Sequence, residues 1–349
     1  FPYLISSTTY QAIILPASYK IGTFTSTSQG TGPFVITSYT TSVAASYDRF
    51  DGWWGGQGPL AGIDATVYQT TAALDAALLS GAADLADYAG DASLYGKPNV
   101  VHIYEIKAAG EQQVAMRVDT PPWNDYRVRQ ALACTIDRPA LLKAVDSGLG
   151  AVGNDYCFAP AFPYTVPLPQ RTQDLRLAKE LLTAAGYPNG FSATLTTGNE
   201  PTKATIAQIV QASAKKIGIE VKLDLPTPTV YYGGSATTTP WLNAPFTVTT
   251  WASRATVTPY LTGTLMSGGT WNAARYSNPK FDSLARSFLA AVALADQQKY
   301  ARQLEEILLH DTPNLILAWP AQTDAGSPKV RGFAPEPFGM SLGHVYLAS

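Results

Sequence analysis

The chain has 349 residues, 46% hydrophobic and only 14% charged, and its 24 Lys+Arg against 26 Asp+Glu leave a net charge of −2. That balance excludes the basic face a nucleic-acid binder needs and the polybasic segment of a membrane-surface protein. No run reaches the ~20 apolar residues of a spanning helix; the most apolar stretch, residues 287–294, is short and amphipathic.

The opening Phe1-Pro2-Tyr3-Leu4-Ile5 has neither a start methionine nor the basic and apolar regions of a signal peptide. Residues 10–65 read as short β-prone runs punctuated by Gly and Pro, with an apolar run at 12–15, an alternating stretch at 32–39 and another strand at 46–50. Helical spacing of Ala72, Leu74, Ala77, Leu78 and Ala82 predicts a helix over 71–83, with Gly81 at its end. Strands are predicted at 100–104 and 113–118.

Character changes near Asp119. The stretch Thr120-Pro121-Pro122-Trp123 is held extended, since each proline disfavours helix in the residue before it. Asn124 or Asp125 then caps a helix reaching Leu132 and Ile136, and Arg138-Pro139 opens another over 140–145. A proline-rich loop covers 148–170. A helix at 174–185 closes on Gly186, followed by a strand at 192–197, a helix at 205–217 and a strand at 219–225, a β-α-β series with a parallel component. A strand at 246–251, a helical hairpin of 279–294 and 296–309, and a closing strand at 315–318 complete the reading.

Cys134 and Cys157 either form a disulfide closing a loop of modest length, for about 3 kcal/mol in the chain-entropy model, or are two buried thiols. Three scattered histidines, His102, His310 and His344, do not have the spacing of a zinc site, so no metal and no cofactor is expected.

Several segments together carry a family resemblance: Gly30-Thr31-Gly32-Pro33-Phe34, Phe50-Asp51-Gly52-Trp53-Trp54-Gly55-Gly56 and Ser80-Gly81-Ala82-Ala83-Asp84. With them go Pro121-Pro122-Trp123-Asn124-Asp125-Tyr126-Arg127-Val128-Arg129-Gln130-Ala131-Leu132 and Ile136-Asp137-Arg138. Downstream come Ala178-Lys179-Glu180-Leu181-Leu182, Ala185-Gly186-Tyr187-Pro188-Asn189-Gly190-Phe191, Tyr276-Ser277-Asn278-Pro279-Lys280-Phe281-Asp282 and His310-Asp311-Thr312-Pro313. The chain resembles the solute-binding proteins of ABC importers in the peptide/nickel class. Physically these motifs punctuate the fold. Asn124 and Asp125 satisfy helix-start amides, Arg127 and Arg129 reach nearby acidic or carbonyl groups, and Gly186 ends a helix.

The resemblance implies an α/β, two-lobed periplasmic-binding-protein-like fold of the class II type, hinged on two crossover strands. The first crossover is expected near 114–119 and the return near 330–335. Lobe I then comprises 1–118 plus 335–349, and lobe II 119–334. Relatives begin well upstream, so the first lobe is expected to be incomplete here, its N-terminal portion cleaved, left outside this sequence or carried as another chain. The implied function is that of an extracytoplasmic receptor, in the periplasm or lipid-anchored on the outer face of the cell membrane. It would close on a small solute between its lobes and deliver it to a membrane permease.

The segment Thr250-Trp251-Ala252-Ser253-Arg254 is similar to the family's cleft loop, where a tryptophan leads and an acidic residue follows that pairs with a peptide's amino terminus. Here Arg254 stands at that place, which disfavours a free amino group and suits a carboxylate, phosphate or sugar hydroxyls. Trp251 and Arg254 are therefore the leading ligand-binding candidates. Tyr231, Trp241 and Trp271 are added as flat rings, and Asn272 as a hydrogen-bonding partner. The expected solute is an oligosaccharide, sugar conjugate or other non-cationic ligand, with a short peptide as the alternative. Trp53 and Trp54 are read as core. Two close acidic pairs, Asp48/Asp51 and Asp84/Asp87, raise glycoside hydrolysis, but they fall in segments matching family scaffolding and no nucleophile motif accompanies them. The reading is a binding protein and not an enzyme.

Overall fold

The computed structural model describes residues 17–20, 23, 30–88, 94, 97, 99–107, 110–336 and 339–348. The expected run at 12–15 and the opening five residues lie outside the described residues. The chain divides into two units, one formed by residues 1–106 and 322–349 and the other by residues 107–321.

In the first unit, β1 (Phe34–Thr40), β2 (Ala44–Arg49) and β3 (Gly62–Thr66) form an antiparallel meander. Helix α1 (Thr71–Ser80) starts where the Thr70 hydroxyl accepts from Ala73 N, and stops at Gly81 in the left-handed conformation. A second small sheet pairs β4 (Leu85–Asp87) and β5 (His102–Ile106) on either side of a strand returning from the end of the chain. Its core is slight: Leu78, Tyr88, Leu94, Val101 and Ala325. The two tryptophans read as core do not sit in one. Trp54 is 83% exposed, and both indoles donate to the Thr31 carbonyl, at 3.0 Å from Trp53 and 3.2 Å from Trp54.

The second unit begins with β6 (Glu111–Met116), whose six residues are all buried. Helices α2 (Tyr126–Ala133) and α3 (Arg138–Asp146) follow, then β7 (Gly150–Val152), α4 (Leu175–Ala184), β8 (Ser192–Thr196), α5 (Pro201–Lys215) and β9 (Glu220–Asp224). Next come α6 (Pro228–Tyr232), α7 (Pro240–Asn243), β10 (Phe246–Trp251), a π-helical turn over Tyr260–Leu265, α8 (Pro279–Ala290), α9 (Leu294–Asp311) and β11 (Asn314–Pro320). One six-stranded sheet, in the order β7-β11-β6-β10-β8-β9, runs through the unit. Its β10, β8 and β9 are parallel and its remaining pairs antiparallel. Val114, Met116, Leu195, Val248 and Leu315 pack under α2 to α5 on one side, while Ile316 and Trp319 meet Tyr260, Phe281, Phe288, Ala301 and Leu304 on the other.

The chain crosses between units earlier than expected in both directions. β6 belongs to the second unit because it lies between β10 and β11, pairing along its length with both. The return falls at residues 321–322, because β12 (Gln322–Gly326) pairs with β4 and β5 of the first unit. The expected lobe boundaries at 118/119 and 334/335 lie about a dozen residues beyond these changes of unit.

The family-like motifs act as local ties. Asp125, not Asn124, caps α2, its carboxylate accepting from Arg127 N at 2.8 Å. Arg127 also donates to Ala184 O at the end of α4 (2.7 Å), and Arg129 donates to the carbonyls of Trp123, Asp311 and Thr312, closing the end of α9. The two cysteines are separate buried thiols, Cys134 in one core cluster and Cys157 in the other. The predicted helical hairpin breaks at residues 291–293, earlier than expected, and Val292 in that break is 94% exposed.

Two glycines with similar left-handed backbones separate strain from space. At Gly186 (φ 90°) an added Cβ meets nothing within 4 Å, whereas at Gly190 (φ 75°) it would lie 1.8 Å from Gly218 O. Gly186→Ala should therefore cost about 1 kcal/mol, the left-handed penalty alone. Gly190→Ala should cost several-fold more, read as the difference between the two urea midpoints at constant m.

Candidate functional site

In an open α/β sheet the loops leaving the carboxyl ends of parallel strands converge on one edge, where ligands bind. Here those ends are Thr196, Asp224 and Trp251. The edge is tied together by polar bonds from its first layer. Thr197 Oγ1 donates to Val248 O at 2.7 Å, Tyr231 Oη donates to the same carbonyl at 2.7 Å, and Thr197 N donates to Asp224 O at 3.0 Å. Lys203, buried at the start of α5, pairs with Glu200 and lies over the Tyr232 ring, 4.6 Å from its centroid.

A row of rings runs along this edge. Tyr232 and Trp241 have centroids 6.1 Å apart, Trp241 and Trp251 5.9 Å, and Trp251 and Trp271 5.6 Å. Edge-to-face and tilted contacts at these distances are favourable for aromatic quadrupoles. Trp241 and Trp271 pack over Ala115, Leu242 and Ala273, and all three tryptophans are part-exposed. Gly263 makes room for the row, since a Cβ there would stand 2.6 Å from the Trp271 ring. The buried indole Nε1–H of Trp251 meets no acceptor among the described residues.

Two of the six sequence-nominated residues lie elsewhere in role. Tyr231 is wholly buried, its hydroxyl bonded to Thr247 and Val248, and burial pushes its phenol far above the usual range. Asn272 is buried and fully engaged: its Nδ2 donates to Met266 O (3.2 Å) and Tyr276 O (2.7 Å), while its Oδ1 accepts from Tyr276 N (2.9 Å). It holds a turn and has no hydrogen-bonding group left for a solute. Arg254 is 6% exposed and donates from Nη1 to Ser253 O at 3.3 Å.

Sequence reasoning counts Tyr232 in the aromatic cluster but does not nominate it; it is 41% exposed at the end of the row. The same reasoning missed Glu111, which stands opposite Trp251 in the ladder. Glu111 is 2% exposed, and burial pushes its carboxyl well above the usual range against the pull of the Arg254 charge. Extending the predicted strand at 113–118 by two residues would have brought it in. Chemically the edge carries a wall of flat rings, and the Trp251 indole N–H, the Arg254 guanidinium and the Glu111 carboxyl are buried close to it in the chain and ladder. Among the described residues no three His, Cys, Asp or Glu side chains gather to hold a metal.

Residues 1–273 match the model of the bacterial extracellular solute-binding proteins, family 5, middle. The chain is 27% identical over 349 residues to heme-binding protein A of Haemophilus influenzae, covering 96% of this chain and 62% of that protein. It is 25% identical over 330 residues to the glutathione-binding protein GsiB of Pectobacterium atrosepticum, covering 87% and 61%. The structure of HbpA2 from Haemophilus parasuis superposes with a TM-score of 0.78 at 25% identity, over 94% of this chain and 66% of that one. The chain thus spans about three fifths of the length of the curated relatives it matches. With the model matched from residue 1 through the candidate edge to residue 273, the chain belongs to the bacterial extracellular solute-binding proteins of family 5, the peptide/nickel class of ABC-importer binding proteins.

Proposed function

We propose that this chain is the solute-holding portion of an extracytoplasmic receptor for an ABC importer, and that its solute is a short peptide or peptide-like molecule bearing a carboxylate. The observation carrying this is the row Trp241–Trp251–Trp271, whose middle ring closes the strand that leads directly to Arg254. Rings bury the apolar part of a solute at small entropic cost, and the guanidinium fork suits a carboxylate. Support also comes from relatives named for heme and for glutathione, both carboxylate-bearing and the second a tripeptide. Those names shift the weight from the sugar class to the peptide class. Arg254 at the place where peptide-binding relatives carry an acid then argues for a reversed register, with the solute's carboxylate toward Arg254.

The test is intrinsic tryptophan fluorescence and thermal shift on the full-length receptor, with glutathione, dipeptides, hemin and maltotriose as probes. A peptide with a free carboxyl terminus should bind, and its C-terminal amide should bind at least tenfold more weakly. Trp251→Ala should weaken that peptide by about 2 kcal/mol, the size of an aromatic anchor, near thirtyfold in Kd. Binding of maltotriose alone, or equal affinity for acid and amide, would overturn the carboxylate assignment. Unchanged affinity in Trp251→Ala would remove the ring row from the site.

A further inference from the structure

Glu111, Gln113 and Asn314, three buried polar residues, line one small cavity. Glu111 and Gln113 alternate along β6 and so project to the same side of the sheet. Asn314 reaches that side from β11, where it stands opposite Ala115, and Ile316 stands opposite Gln113. Glu111 and Gln113 are each 2% exposed and Asn314 is 5% exposed. Glu111 Oε1, Gln113 Oε1 and Asn314 Oδ1 have no hydrogen-bond partner among the described residues, and all three residues line a cavity of about 10 Å³ that Cys157, Thr264 and Leu308 also line.

We infer that Glu111, Gln113 and Asn314 form a binding site for a single internal water molecule, which bridges β6 to β11. The size fits, because about 10–15 Å³ of this kind of volume houses one water. The donor count also closes. With Glu111 protonated at Oε1, that O–H donates to the water oxygen, and the water's two hydrogens go to Gln113 Oε1 and Asn314 Oδ1. Burial holds the Glu111 carboxyl well above its ordinary range, in keeping with that form. Leaving any of these acceptors unpaired would cost about 1–3 kcal/mol each, so an occupied site accounts for this buried polar trio. The other acid on the cavity wall, Asp155, is satisfied by Arg138 and Arg171 and does not compete for the water's protons.

A near-atomic-resolution crystal structure of the full chain tests this, with parallel crystals grown in sodium, potassium and choline chloride. The expected result is one solvent peak about 2.7–3.1 Å from the three oxygens, the same in every salt. Glu111→Gln, which keeps a neutral side chain of the same shape, should retain the peak and melt with the parent protein at pH 6. Gln113→Leu should lose the peak. A peak about 2.3–2.5 Å from the oxygens, tied to one cation together with the melting temperature, would overturn the water in favour of an ion. Amide groups refined with their N–H groups bonded directly to Glu111, with no peak between, would overturn the site altogether. A sharp loss of stability in Glu111→Gln at pH 6 would show that the acid is ionised and reject the donor count.

Discussion

Asp155→Ala is expected to destabilise the second unit by about 3–5 kcal/mol, the cost of breaking a buried ion pair by removing one partner. The Asp155 carboxylate is fully buried and accepts from Arg138 Nη2 at 2.8 and 2.9 Å and from Arg171 Nη1 at 2.7 Å. Arg138, itself 1% exposed, continues to the carbonyls of Gly153 and Ile316, and Arg171 to Leu309 O. One carboxylate therefore ties the start of α3, the long loop after β7, the end of α9 and the middle of β11. Its loss leaves two guanidinium groups facing each other in the interior. Urea unfolding at constant m should show the loss, and Asp155→Ala with Arg138→Met should recover part of it. A loss below about 1 kcal/mol would mean that water compensates both cations, and the tie would be decorative.

The second large effect is on pH. Glu305 is wholly buried on α9, with Oε1 accepting weakly from Val166 N at 3.4 Å and Oε2 without a partner among the described residues. Burial pushes its carboxyl up to about 8, against the pull of the Val166 amide and the Arg302 charge. Below an ordinary glutamate pKa both folded and unfolded chains hold the proton, and the group is neutral to stability. As pH climbs toward 8 the unfolded chain releases the proton while the folded chain keeps it, so stability falls, and above 8 the full penalty stands. That penalty is about 4–5 kcal/mol. Asp146 and Asp324, both raised by burial to about 6, add the same sign over a lower and narrower window. Glu305→Gln should leave stability unchanged at pH 5 and raise it by several kcal/mol at pH 9, measured by urea midpoints across pH. Equal effects at both pH values would mean that Glu305 is ionised throughout.

How much of this was legible in sequence differs by element. Helices with side-chain caps were readable to within a few residues. Asp174 caps α4 and Asn278 caps α8, each accepting from the amides of the first turn, and such signals are local. The residues 113–118, by contrast, read as a strand in sequence, but the unit they pack in is not legible locally. A central strand's allegiance is set by its partners β10 and β11, more than a hundred residues away. The same limit applies to the site. The similarity of the segment from Thr250 to Arg254 to the family's cleft loop pointed to Trp251 and Arg254, and aromatic clustering added Trp241 and Trp271. Tyr231 and Tyr232 are adjacent and chemically alike, and only packing sends the first into the core and leaves the second exposed at the end of the row.

By itself, then, the sequence determined the family, the β-α-β character of the second unit and the segment that carries the candidate site, because motifs, caps and periodicity are written in neighbouring residues. Tertiary structure alone decided where the chain changes units, that Asn272 is spent on a turn, that Trp54 is surface, and that Glu111, Gln113 and Asn314 share one cavity. Each of those depends on which distant segment supplies a hydrogen-bond partner or excludes water. A buried acceptor is defined by what surrounds it, and the surroundings come from the fold.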